Sequence, residues 1–300
     1  MELVNFGSLN LDHVYTVSQF VSPGETRSAQ HYQIYCGGKG LNQSVAAARA
    51  GATVRHAGIL GRGGEMLREM LEQNGVDVSL LRQSDAPQGH AIIQVNSQGE
   101  NCILLFGGSN RAVTREDVDR VLATLHQPAY ILLQNEISQL EYMVERAFAL
   151  GFPVALNASP IDETLLRLDL SKLSWLMINE VEGEQLSGAQ EPQEILQRLS
   201  ARYPRLQILL TLGKDGAICF SGGAQIRQGI FPVPTVDTTA AGDTFTGYFL
   251  AEICRGSSYT QAMRVAAMAS ALAVSKQGAA PSIPSLQQVM EAFTEYSENN

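Results

Sequence analysis

From residue 114 onward, short apolar runs alternate with helix-forming stretches, and that alternation constrains the fold more than any other feature of the chain. Thr114 and Asp117 make a capping-box-like helix start, and residues 130–134 read as a buried strand. Ser138 and Glu141 repeat the capping pattern ahead of a helix running to Gly151, and residues 153–157 read as the next strand. Strands follow at 175–178 and 207–212, with a helix near 194–201 between them. Strand and helix in regular turn predict an α/β fold, a three-layer, mostly parallel sheet with helices on both faces. No linker and no internal repeat interrupts it, so residues 1–300 read as a single α/β domain.

Two segments break the rhythm. Residues 13–36 are β-prone and interrupted by Ser22, Pro23 and Gly24. Residues 88–107 carry a hairpin signal, two apolar runs (91–95 and 102–106) around a Ser97-Gln98-Gly99 turn. Together they predict one small β-sheet inserted into the main domain and standing off it. A sheet apolar on both faces needs cover: a substrate on one face, a second subunit on the other.

Three places carry chemistry. Residues 236–245 run from small residues and Gly242 into an apolar-periodic segment with Phe245, Tyr248, Phe249 and Ile253, which reads as a tight turn opening a buried helix. A helix start exposes unpaired N–H groups and a positive dipole end, so the turn Ala240-Ala241-Gly242-Asp243 is a candidate anion cradle. Asp243 in the first turn then sits beside any bound phosphoryl group; equally, an acidic residue there complements the dipole without further purpose. The second place is the glycine turn at 37–43, which opens a helix at Leu41. It matches neither a Walker A loop nor the dinucleotide fingerprint, so it offers backbone donors together with Lys39 and Asn42. Third, Asn10 and Asp12 follow a strand at residues 2–8, where open parallel sheets place their ligands; both are also ordinary turn residues.

The charge balance, 21 basic against 30 acidic residues, gives −9 and argues against nonspecific nucleic-acid binding. No apolar run approaches the roughly 20 residues needed to cross a bilayer, and no signal-peptide pattern opens the chain, so no membrane association is expected. Cys36, Cys102, Cys219 and Cys254 form no C-x-x-C pair and read as reduced thiols of a cytoplasmic protein. The histidines show no metal-ligand spacing.

Residues 237–244 resemble the C-terminal signature of the ribokinase-like (PfkB) carbohydrate kinases, and residues 37–43 resemble their N-terminal signature. The two stand in the family's order, about 200 residues apart, and the likeness extends over nearly the whole chain. The resemblance implies an ATP-dependent sugar kinase that phosphorylates the primary hydroxyl of a pentose, D-ribose in first place. Other acceptors of the family (deoxyribose, a ketohexose, 2-keto-3-deoxygluconate or a nucleoside) stand next, and a non-catalytic sugar or nucleotide sensor last.

The resemblance also implies roles for individual residues. Asn10, Asp12, Gly38, Lys39, Gly40, Asn42 and Glu136 hold the sugar with Asp243, which acts as base beside an anion hole at 240–243. Asn179, Thr211, Gly213, Lys214, Gly216, Gly242 and Ala267 face ATP. Asp237, Thr239, Ala273, Lys276, Gly278 and Ser282 ring a monovalent cation, K⁺, while Asn179 and Glu182 reach Mg²⁺ through water. The small sheet becomes a lid, with strands inserted at about 13–36 and 88–107, through which a homodimer forms.

Overall fold

In the computed structural model, which describes residues 1–298, β1 (Glu2–Phe6) is the strand on which the topology turns. It pairs in parallel with β4 (Val54–Arg62) on one side and β8 (Ala129–Gln134) on the other. Beyond β4 lies β5 (Leu81–Pro87). Beyond β8 follow β9 (Val154–Asn157), β10 (Trp175–Asn179) and β11 (Gln207–Thr211), all parallel. The sheet ends in two antiparallel strands, β12 (Ala217–Ser221) and β13 (Ala224–Gln228), giving nine strands in the order β13-β12-β11-β10-β9-β8-β1-β4-β5. Because the chain winds away from β1 in both directions, a crevice opens beyond the carboxyl ends of β1 and β8. Ligands of open α/β sheets bind in such a crevice.

Alternate residues of each strand enter opposite cores, which makes the three layers. Leu3, Leu132, Trp175 and Met177 pack with α1 (Lys39–Arg49), α8 (Ala241–Arg255) and α9 (Tyr259–Val274). Val4, Leu133, Leu176 and Ile208 pack on the other face with α3 (Arg115–Leu122), α4 (Leu140–Ala149) and α7 (Pro192–Arg202). Each such side chain removed from water stabilises the fold by about 1.5–3 kcal/mol. The remaining helices are α2 (Glu65–Gln73), α5 (Glu163–Leu166), α6 (Glu180–Ser187) and α10 (Leu286–Glu298). No helix among the described residues is long and apolar enough to cross a membrane.

A second, four-stranded sheet stands apart in the order β3-β2-β6-β7, built from β2 (Asn10–Thr16), β3 (His31–Gly37), β6 (His90–Val95) and β7 (Asn101–Phe106). Its hairpins are antiparallel and its central β2–β6 pair is parallel. Asp12 and its neighbours face the crevice, while His13, Ile34, Ile92 and Leu104 share the outer face.

The capping box at Thr114 and Asp117 forms as expected. The one expected at Ser138 and Glu141 does not: α4 is entered through Gln139 in the left-handed region (φ 67°), with no side-chain cap. Ser138 Oγ instead donates to the Val113 carbonyl at 2.9 Å, so a tertiary bond takes the hydroxyl from the helix start.

Candidate active site

The site begins where α1 presses its first turn against the end of β1. A Cβ on Gly40 would stand 2.2 Å from Ser8 N and 2.4 Å from Gly7 Cα, so only glycine allows this approach. Gly38 enters the helix at φ 93°, also a glycine conformation. The result aims one main-chain and one side-chain donor at a carboxylate: Lys39 N–H donates to Glu136 Oε2 at 3.0 Å, and Ser8 Oγ donates to the same oxygen. Asn10 is held from the opposite side, its Oδ1 accepting from Asn110 Nδ2 at 2.7 Å.

Three acids and one base converge here. Burial pushes the Asp12 carboxyl up to about 7, with the negative fields of Glu136 and Asp243 adding to the effect. Burial also raises Glu136, against the opposing pull of the Lys39 ammonium and the Ser8 hydroxyl. For Lys39 the balance reverses. Burial disfavours its charge, but Asp243, Glu136 and Glu182 outweigh that and hold the ammonium above its ordinary range. Acceptors of this kind around one cation suit a small polyhydroxylated ligand whose hydroxyls need both partners.

On the far side of Lys39, α8 opens through Ala240 in the left-handed conformation (φ 59°). Among the described residues neither Gly242 N–H nor Asp243 N–H has a hydrogen-bond partner, and both border an open cleft of about 160 Å³. That cleft is lined by Lys39, Asn157, Asn179, Glu182, Thr211 and Thr238 together with residues 240–243. Asp243 itself is fixed from α1: Asn42 Nδ2 donates to Oδ2 at 3.0 Å and Gln43 Nε2 to Oδ1 at 2.8 Å. Asn42 Oδ1 is buried with no partner among the described residues.

The fold therefore brings Asn10, Asp12, Gly38, Lys39, Gly40, Asn42, Glu136 and the 240–243 turn to one crevice, with Asn179, Glu182 and Thr211 along the adjoining cleft. Asn179 and Glu182 also form a capping box on α6, so one Glu182 oxygen already accepts from Asn179 N–H. Gly213, Lys214 and Gly216 lie in the turn after β11 and do not line that cleft. Gly216 has a packing reason of its own, because a Cβ there would stand 2.0 Å from the Gln228 carbonyl oxygen. Ala267 is buried in the core beneath α8.

The loops proposed for a monovalent cation do meet. Asp237 accepts from Thr239 N–H and from Gly278 N–H, both at 2.9 Å, which ties residues 236–239 to the segment after α9. Partial burial would raise its carboxyl, but the Thr239 hydroxyl, which also donates to it, and these two N–H groups outweigh that and hold it low. The Ala273 carbonyl accepts from Lys276 N–H at 3.1 Å, and Ser282 Oγ donates to the Ala279 carbonyl. Among the described residues no cluster of three or more His, Cys, Asp or Glu could hold a metal.

Sequence reasoning assigned no role to Gln43, Asn110, Asn157 or Ser8. Only Gln43 carried a usable signal, standing next to Asn42 in the glycine turn. Asn110 reaches the site from beyond the lid strands, which no local pattern announces.

A parallel sheet with its crevice at the switch strand, an unpartnered helix start and a cluster of hydroxyl acceptors define a small-molecule phosphotransferase. A family profile described as "pfkB family carbohydrate kinase" matches residues 1–286. The chain is 36% identical to a ribokinase of Haemophilus influenzae over 98% of this chain and 99% of the relative. It is 31% identical to a deoxyribokinase of Salmonella typhi over the full length of both. Among solved structures, Arabidopsis thaliana ribokinase complexed with ribose and ATP superposes with a TM-score of 0.85 at 31% identity, covering 96% of this chain and 97% of that one. The chain belongs to the pfkB family of carbohydrate kinases.

Proposed function

We propose that this kinase transfers the γ-phosphoryl group of ATP to the primary hydroxyl of D-ribose, yielding ribose 5-phosphate and ADP. One observation carries the reading: a single crevice holds hydroxyl acceptors (Asp12, Glu136), the Lys39 cation and Asp243 beside two free main-chain N–H groups. The ribokinase named among its relatives, and the solved ribokinase with ribose and ATP, support ribose as the acceptor.

In this mechanism Asn10, Asp12, Asn42 and Glu136 orient the sugar. The unpartnered Asn42 Oδ1 is an acceptor already desolvated and awaiting a hydroxyl. Asp243 aligns the primary hydroxyl and takes its proton as the phosphoryl group leaves ATP. The Gly242 and Asp243 N–H groups face the charge that develops on the transferring oxygens. The lid sheet closes over the sugar and excludes water.

Mg²⁺, bound with ATP, would neutralise phosphate charge. Glu182 and Asn179 are hard oxygen donors beside the cleft, fit for contact through its water shell. For K⁺, the 236–239 and 273–282 segments offer one carboxylate and several carbonyls, an oxygen-only set that suits a large monovalent ion. Gly213, Lys214 and Gly216, in the turn beyond the cleft, would meet the nucleoside end of ATP, with the buried Ala267 packing behind them. The exposed outer face of the lid would pair with a second copy. The enzyme would work in the cytoplasm, where both substrates occur.

Deoxyribose is the second reading, favoured by the full-length likeness to a deoxyribokinase. A panel of ribose, deoxyribose, ketohexoses, 2-keto-3-deoxygluconate and nucleosides with ATP, Mg²⁺ and K⁺ decides between them. Ribose should give the highest kcat/KM. Absent ribose turnover beside strong turnover of another acceptor would remove the ribose assignment.

A further inference from the structure

We infer that Gln43 and Gln134 are positioning residues for Asp243, the terminal links of a buried hydrogen-bond chain that fixes the base before substrate arrives. The inference rests on the role of Asp243 proposed above.

The chain is continuous. Gln43 Nε2 donates to Asp243 Oδ1 at 2.8 Å, and Gln43 Oε1 accepts from Gln134 Nε2 at 2.7 Å. The same Gln134 nitrogen donates to Asn5 Oδ1 at 2.9 Å. Asn5 Nδ2 donates to Ser44 Oγ and to the Gly40 carbonyl, each at 2.8 Å. Ser44 Oγ meets His56 Nδ1 at 2.8 Å, and His56 Nε2 meets the Gly7 carbonyl at 3.2 Å. Asn5, Gln43, Ser44 and His56 are fully buried and Gln134 is 1% exposed, so none of them touches a ligand in the crevice.

Direction is built into it. The Gly7 carbonyl can only accept, so His56 carries its proton on Nε2 and offers Nδ1 as an acceptor. Complete burial keeps that ring neutral, lowering its pKa to about 4. Ser44 must therefore donate to His56, which leaves its oxygen to accept from Asn5 and turns the Asn5 carbonyl towards Gln134. At the other end the Asp243 carboxylate also only accepts. A chain between two acceptors needs one group that donates both ways, and the Gln134 amino group fills that place. The Gln43 amide then has one orientation available, its NH₂ towards Asp243.

A buried amide chain with a single allowed orientation holds a carboxylate in one rotamer, and near-attack geometry is sensitive to displacements of about 1 Å. Three strands and one helix contribute to it: β1, β4, β8 and α1. The position of Asp243 is thereby referred to the centre of the sheet and not to its own helix alone.

The test is a double-mutant cycle on Gln43→Met and Gln134→Met, read by single-turnover phosphoryl transfer and by sugar binding. Gln43→Met should slow the chemical step about 100-fold, with sugar Kd changed by less than about threefold because Gln43 does not touch the sugar. Gln134→Met should slow it less. The double variant should match Gln43→Met, since both act through one bond. Should Gln134→Met fail to fold, Ser44→Ala takes its place in the cycle. A near-normal rate in Gln43→Met, strictly additive effects, or a loss confined to sugar affinity overturns the inference. If the wild type turns over a different acceptor, the cycle runs on that one. If it turns over none, the proposed function falls, and a crystal structure of Gln43→Met still decides: an Asp243 carboxylate unmoved from its wild-type place rejects the positioning role.

Discussion

The carboxylate of Asp12 lies across Gly37, so close that a Cβ at position 37 would stand 1.9 Å from Asp12 Oδ2. The two residues are on neighbouring strands of the lid, β2 and β3, and the missing side chain of one is the seat of the other. Gly37→Ala should therefore turn Asp12 out of the crevice while leaving the nucleotide cleft alone. A hydrogen bond to a charged group contributes about 1.5–3 kcal/mol, so ribose affinity should fall about 10- to 100-fold. Calorimetry of ribose binding checks this, with ATP affinity as the internal control. An equal loss for both ligands would show that the substitution disturbs more than Asp12.

The same carboxyl gives the sugar-free enzyme an inverted pH response. Its pKa rises from 3.8 in the unfolded chain to about 7 in the folded one. Between those values the folded state keeps a proton the unfolded state has lost, so stability falls as pH rises through this window. The full displacement corresponds to a loss of about 4 kcal/mol, complete above about pH 7. Asp12→Asn removes the burden. The variant should be the more stable protein in urea at about pH 8, with the difference vanishing towards pH 4. A variant less stable than wild type at both pH values would refute this account of the buried charge.

How much of this was legible in the sequence divides by the range of the interactions. The alternation after residue 114 and the two glycine turns are local patterns, and they led directly to the sheet, to α1 and to α8. The antiparallel edge β12–β13 escaped because β13 is largely exposed and polar, so no second apolar run marks a partner for the short buried stretch of β12. Ser138 was misread because its hydroxyl had a tertiary partner that sequence spacing does not reveal. The polar chain was the least legible part. Asn5 and His56 sit inside strands and Gln134 at the end of one, and they meet only in three dimensions.

Asp243→Ala tests the reaction itself. Removing a general base costs at least about 100-fold in rate. Sugar affinity should move by less than about tenfold, because Asp12, Glu136 and Asn10 remain. Rapid-quench measurement of ADP formation with ribose, beside ribose titration of the variant, separates the two quantities. Turnover near the wild-type rate would take Asp243 out of the mechanism.

The lid makes a separate prediction about assembly. On its outer face Tyr32, Ile92, Leu104 and Phe106 are 46%, 38%, 67% and 49% exposed, a contiguous apolar surface on one sheet. Paired with a second copy it would bury that area, so the kinase should run as a dimer at about twice 32.5 kDa in light scattering. Leu104→Glu places a charge at the centre of the face and should give monomers. A wild-type monomer at micromolar concentration sinks the dimer proposal without touching the catalytic one.

The last prediction joins packing to chemistry through Gly247. This residue is the contact point of α8 on α1: a Cβ there would stand 2.5 Å from Ala46 Cβ and 2.8 Å from both Ala47 N and the Gln43 carbonyl oxygen. Main-chain atoms cannot yield as a side-chain tip does, so Gly247→Ala must move the helices apart. Overpacking of this kind costs about 1–3 kcal/mol. The displacement has a direction, because Asp243 lies one turn earlier on α8 and its two partners, Asn42 and Gln43, lie on α1. Separating the helices lengthens both bonds to the carboxylate at once. Gly247→Ala should therefore lower kcat about 10- to 100-fold at temperatures where the variant remains folded, with the KM for ATP little changed. Gly256→Ala, at the far end of α8 where a Cβ meets nothing within 4 Å, supplies the control. There the left-handed φ of 87° strains the backbone, so stability falls and kcat does not. Equal losses of kcat in the two variants would mean that helix stability, and not the distance between α1 and α8, sets the rate.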